Sequence, residues 1–278
     1  MRRTLITAAI AGACLTAAGP AQAVFPGQNG RVVYPAANGS IHTILPSGHA
    51  DRATTMFGRP SWAPSGRRVV MAGGPEDDIY TMRADGSDLR QLTFDGGNSN
   101  PSYSPGGGRI VFTHVGYSAV FTTTIRSDGS DRRVVRKGGV EVWAPDGRIA
   151  VSCRSGLCVI RPNGTHIHHL VGLGKAGGYG PIYSPDGSEF LFVRFDPNDT
   201  HAQHTLLADG DGDNVRKPRC SPHDPLSYSP DGRWVLGNDL ATPAGQANLI
   251  RVSLHSCTRE TVVSPVSPGD ADWQALPG

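Results

Sequence analysis

The chain has 278 residues, with 26 Lys and Arg against 24 Asp and Glu and only 18% charged residues. Gly (36) and Pro (22) are abundant, and no window carries sustained helical periodicity. This excludes a long-helix architecture and predicts an all-β fold of short strands and tight turns. The near-balanced charge excludes nucleic acid or an anionic membrane surface as the main partner.

The first 23 residues read as a secretory signal. Arg2 and Arg3 precede an apolar run, then Pro20 and the small-residue pattern Ala21-Gln22-Ala23. Cleavage is expected after Ala23, and the run is too short to span a membrane. A rival reading takes Ala11-Gly12-Ala13-Cys14 as a lipoprotein box with Cys14 lipidated, but the usual Leu is missing at its first position. Either way the chain is expected to be exported, to the periplasm, the cell envelope or the medium. Cleavage removes two Arg and no acids, leaving 24 basic against 24 acidic residues. Four cysteines then remain, Cys153, Cys158, Cys220 and Cys257. An even count in an exported chain suggests disulfides, with three pairings open. Cys153 and Cys158 read as the two arms of a tight hairpin, which would leave Cys220 with Cys257. Zinc is the competing use, but no Cys-x-x-Cys pair is present.

From residue 61 onward one unit recurs. Its copies are SWAPSGRRVVM (61–71), SYSPGGGRIVF (102–112), VWAPDGRIAV (142–151), IYSPDGSEFLF (182–192) and SYSPDGRWVLG (227–237). Trp62, Tyr103, Trp143, Tyr183 and Tyr228 each stand two residues before a proline, and successive prolines lie 41, 40, 40 and 45 residues apart. Proline presets a turn and glycine follows in the left-handed region, so each copy reads as a hairpin leading into a buried apolar strand. About twenty residues on, a strand, an Asp-Gly or Asn-Gly turn and another strand follow, as in 78–93, 119–135 and 156–171. Four strands in about 40 residues make one propeller blade.

Both chain ends complete the count. Asn29-Gly-Arg-Val-Val-Tyr34 reads as a second strand lacking its aromatic partner, and Asp272-Trp-Gln-Ala-Leu276 reads as that missing first strand. The expectation is therefore a six-bladed β-propeller of four-stranded antiparallel blades, closed by residues 271–277. Its blades would span 24–58 plus 271–278, 59–97, 98–139, 140–178, 179–224 and 225–270.

The aromatic-x-Pro-Asp-Gly-Arg unit, followed by IYTMRADGSDLRQLT (79–93), resembles the WD-like propeller repeats of the TolB family. The resemblance covers nearly the whole chain after the signal. It corresponds to the propeller part only, without the α/β domain that precedes it in TolB. It implies the fold, and it implies functions ranging from envelope binding proteins to modules of peptidases and lyases.

For chemistry, no Gly-x-Ser-x-Gly elbow, His-Glu-x-x-His or Gly-x-x-x-x-Gly-Lys motif occurs. Ser229-Pro-Asp231-Gly232 lacks the residue that separates Asp from Gly in sialidase-type loops, so it reads as a structural turn. Asp209, Asp211 and Asp213 alternate as in a calcium loop, yet they fall at an expected turn. His166, His168 and His169 lie on an expected outer strand, and His201 and His204 with Asp199 lie in a loop.

The turns of one propeller face are near-uniform, whereas the other face carries the irregular loops 74–78, 114–118, 195–203 and 238–247 and the crossings 98–100 and 222–224. Binding is expected there, with His114, Tyr117, Arg194, Asp196, Asp199, His201, Asn238 and Asp239 as candidates. The expected role is a monomeric, non-enzymatic scaffold for another envelope or secreted protein or an envelope polymer. The alternative is a polysaccharide lyase or hydrolase, or a glycan-binding module, using the central channel.

Overall fold

The structure is a computed structural model that describes residues 25–175, 177–196, 198, 202–239 and 246–277. Candidates Asp199 and His201, the signal segment and Cys14 lie outside the described residues. Six antiparallel sheets follow one another along the chain, giving the expected six-bladed propeller.

The repeat unit builds each blade in the same way. In all five copies the glycine N–H donates to the carbonyl three residues back, at 2.9 Å (Gly66 to Ala63), 2.8 Å (Gly107 to Ser104), 3.0 Å (Gly147 to Ala144), 2.9 Å (Gly187 to Ser184) and 2.8 Å (Gly232 to Ser229). These glycines have φ between 63° and 84°, the left-handed geometry that a Cβ disfavours. The aromatics Trp62, Tyr103, Trp143, Tyr183 and Tyr228 are buried, as is Trp273 from the C-terminal segment. The strand after each turn packs between neighbouring blades, as Val69–Met71, Ile110–Phe112 and Ile149–Val151 illustrate. Burial on both faces explains why these strands read as unbroken apolar runs.

Ring closure follows the sequence-based expectation. Strand Asp272–Leu276 pairs antiparallel with Gln28–Pro35, placing Trp273 opposite Val32. Asp272 pins the joint: its carboxylate accepts from the Trp62 N–H at 2.7 Å, the Ser61 hydroxyl at 3.2 Å, the Ser227 hydroxyl at 2.9 Å and its neighbour Trp273 N–H at 2.8 Å. One side chain thus ties the innermost strands of the sixth, first and second blades. Burial pushes its carboxyl up to about 7, against the pull of these donors.

Among the described residues, five blades carry four hydrogen-bonded strands. In the fifth, the three strands Gly178–Tyr183, Glu189–Phe195 and Gln203–Asp209 are followed only by an isolated bridge between Leu207 and Arg216. Both cysteine pairs lie at disulfide distance. Cys153–Cys158 closes the hairpin of the fourth blade with Cα atoms 5.9 Å apart, and Cys220–Cys257 joins the segment after the fifth blade to the sixth at 5.6 Å.

Candidate functional site: the loop face

The two faces of the ring differ in how their residues are used. On the turn face, the Asp and Asn side chains are committed to local turns. Asp85 accepts from Ser87, Asp128 from Ser130, Asn163 from Thr165, Asp186 from Ser184 and Ser188, and Asp231 from Ser229. A cavity of about 910 Å³ opens there, walled by turn residues including Pro64, Pro105, Pro145 and Pro185. The calcium-like run belongs to this face. Asp209 accepts from Asn214 Nδ2 at 2.6 Å and Arg216 Nη1 at 2.9 Å, and Asp211 accepts the Asp213 N–H at 3.3 Å. Among the described residues, no group of three His, Cys, Asp or Glu side chains stands close enough to hold a metal ion.

The loop face displays side chains instead. Tyr117, in the loop between strands Arg109–Val115 and Val120–Arg126, is fully exposed. Val115 beside it is 54% exposed, and Phe94, in the crossing from the second blade to the third, is 79% exposed. The two loops are joined, because the Val115 N–H donates to the Gly97 carbonyl at 2.8 Å. The crossing is also held from beneath. Buried Asp78 accepts from Thr93 Oγ1 at 2.8 Å, the Gly96 N–H at 3.1 Å, Asn98 Nδ2 at 3.2 Å and Gln91 Nε2 at 3.0 Å. Candidate His114 belongs to the same network, with Nδ1 3.0 Å from Asn98 Oδ1 and Nε2 3.8 Å from Asp95. Asp95 in turn accepts from Arg132 at 2.6 Å. Apolar side chains are therefore presented to solvent on a fixed polar frame, with His114 part of the frame and Tyr117 at its tip.

The remaining described candidates gather between the fifth and sixth blades. Arg194 pairs across the strand with His204, and Asp196 lies 3.7 Å from His204 Nε2 and accepts the Asn198 N–H at 2.8 Å. Asp239 bonds Arg259 at 3.1 Å. Asn238 is buried rather than displayed, and its Nδ2 donates to Asp224 at 3.2 Å and to the Gly269 carbonyl at 3.4 Å. Tyr179 donates to the same Asp224. His166, His168 and His169 lie on exposed outer positions of the fourth blade.

Sequence reasoning missed the buried acids at the channel end of this face. Asp270 is 1% exposed, and among the described residues neither of its carboxylate oxygens has a hydrogen-bond partner. Its nearest cation is Arg59, with Nε at 3.9 Å. Burial pushes the Asp270 carboxyl up to about 6, Arg59 opposes the shift and Asp224 adds to it.

No family model matches the chain. An uncharacterised protein of Agrobacterium fabrum is 28% identical over 160 residues, covering 49% of this chain and 54% of that protein. The chain thus spans about half the length of that curated relative. Among solved structures, TolB from Acinetobacter baumannii superposes with a TM-score of 0.74 at 16% identity, covering 90% of this chain and 68% of that one. A protein assigned as a TolB from Agrobacterium tumefaciens gives 0.64 at 16% identity, covering 89% and 97%. An oligogalacturonate lyase from Vibrio parahaemolyticus gives 0.51 at 13% identity, covering 72% and 68%. At these identities the likeness speaks for architecture alone: the fold is that of the TolB-type six-bladed β-propeller.

Proposed function

We propose that the protein is an exported, non-enzymatic scaffold that binds another envelope or secreted protein through its loop face. The observation that carries this reading is the exposed apolar group Phe94, Val115 and Tyr117, set on a hydrogen-bonded frame that keeps it from folding inward. Exposed aromatics on rigid supports anchor protein interfaces, because burying them releases much surface at little entropic cost. Two disulfides fit an oxidising compartment, in keeping with the signal-like N-terminus. No helix of the described residues is long and apolar enough to cross a membrane.

The test is affinity capture from envelope extract with the wild-type chain, with F94S/Y117A, and with turn-face variant D231N. Capture of one stoichiometric protein by wild type and D231N, lost in F94S/Y117A at unchanged circular dichroism, supports the reading. Equal capture by all three would overturn the assignment of the face. Turnover of a polyuronide or other envelope polysaccharide, abolished by D270N, would overturn the non-enzymatic role.

A further inference from the structure

Among the described residues, the fifth blade is the one blade in which a fourth strand does not form a ladder, and the cause lies in the sequence. Leu207 and Arg216 exchange two backbone bonds, at 2.8 and 2.9 Å. Continuing that antiparallel register would next pair Thr205 with residue 218. Residue 218 is proline and has no N–H to give the Thr205 carbonyl. The ladder ends there, and the chain is held aside. The Cys220–Cys257 disulfide fastens it to the sixth blade, and Gln203 Nε2 donates to the His223 carbonyl at 2.8 Å.

An open edge results. Backbone groups in an antiparallel strand alternate between its two neighbours. Leu207 bonds outward to Arg216, and Asp209 bonds outward to Asp213 at 2.9 Å. Thr205 and Gln203 therefore also face outward, with no backbone partner on that side among the described residues. An unpaired edge of this kind is a template for an added strand.

A groove of about 520 Å³ runs along this edge, lined by Thr205, His204, Lys217, Arg219, His223 and Arg259. Lys217 and Arg219 are exposed, and among the described residues neither has an ion-pair partner. The groove's own acid, Asp239, is already bonded by Arg259 at 3.1 Å. In a chain whose charges nearly balance overall, 26 basic against 24 acidic residues, this is a local excess of cations beside open amides.

We propose that this edge takes, by strand addition, an extended acidic segment of the partner protein, with backbone pairing at Thr205 and Gln203 and carboxylates facing Lys217 and Arg219. The inference rests on the reading of the loop face as protein-binding, and it adds where and with what chemistry one part of the partner docks. An anionic sugar polymer would use the cations but would have no amides to pair with the edge.

The experiment uses the purified chain and a fluorescein-labelled eight-residue peptide of alternating threonine and glutamate, read by anisotropy. Controls are the same peptide N-methylated at every second amide, a threonine–lysine version, and polygalacturonate. The expected result is saturable binding of the acidic peptide, weakened at least tenfold by N-methylation and at least tenfold by K217E/R219E. The lysine peptide should not bind. Equal binding of the N-methylated peptide, or binding of polygalacturonate in place of the peptide, would overturn the proposal, as would no peptide binding at millimolar concentration. K217E/R219E lies on exposed positions, and its fold is checked by thermal melting. If that variant unfolds, the N-methylated peptide decides alone. Failure here with partner capture through Phe94 and Tyr117 intact refutes the strand-addition site and leaves the scaffold reading standing.

Discussion

Replacing Asp270 with Asn should stabilise the protein at high pH and do nearly nothing at low pH. The carboxylate is fully buried, accepts no hydrogen bond from the described residues, and faces Arg59 only at 3.9 Å. Its folded-state value of about 6 lies above the unfolded value of 3.8. A raised value means that the folded state holds the proton more tightly than the unfolded chain. This stabilisation is fully present below pH about 4 and is lost as pH rises through about 6. The difference of roughly two units corresponds to about 3 kcal/mol at about 1.4 kcal/mol per unit. The amide carries no charge to desolvate, and Arg59, half exposed, remains solvated when its partner is neutralised. Urea unfolding of wild type and D270N at pH 4, 5, 6, 7 and 8 reads the effect directly. D270N should be close to wild type at pH 4 and about 3 kcal/mol more stable at pH 8, with an unchanged m-value. A variant destabilised by the same amount at every pH would refute the reasoning, since it would mean that Asp270 has polar partners which the amide breaks.

Other expectations concern the turns and the disulfides. Gly66→Ala should cost several kcal/mol in urea unfolding, because its φ is +63° and a Cβ would meet the Ala275 carbonyl oxygen at 2.3 Å. Gly232→Ala has a similar φ, but its Cβ would meet only Pro185 Cδ at an ordinary contact distance of 3.8 Å, so about 1 kcal/mol is expected. Breaking Cys220–Cys257 by C220S/C257S should cost up to about 4 kcal/mol on loop-entropy grounds, against about 2 kcal/mol for C153S/C158S, since the closed loops span 37 and 5 residues. Thermal melting of each pair against wild type measures the order. Asp231→Asn should leave melting and partner capture within error of wild type, because an amide oxygen can still accept from Ser229 and the Arg233 N–H.

The architecture was legible because the repeat carries its own physics. Proline, glycine and a buried aromatic at fixed spacing specify a hairpin and the strand behind it, and the isolated Trp273 segment supplies the missing inner strand. The cysteine hairpin was readable for the same local reason. The open edge was not read, although Pro218 stood in view, because its effect depends on the register set by Leu207 and Arg216. The buried acids were hidden more deeply. Asp224 and Asp270 look like ordinary loop residues in sequence and Asp272 like the polar start of a strand, and burial reaches all three only when inner strands of several blades converge. The same convergence removed Asn238 from the exposed candidates. Tyr117 was legible because a loop tip between two apolar strands has nothing nearby to cover it.

Hydrogen exchange of the chain, free and in complex with its captured partner, tests the central claim most directly. The loop-face account predicts added protection at 94–98 and 115–120, with no change at the turns 145–147 and 185–187. Protection confined to those turns, with 94–98 and 115–120 unaltered, would contradict it.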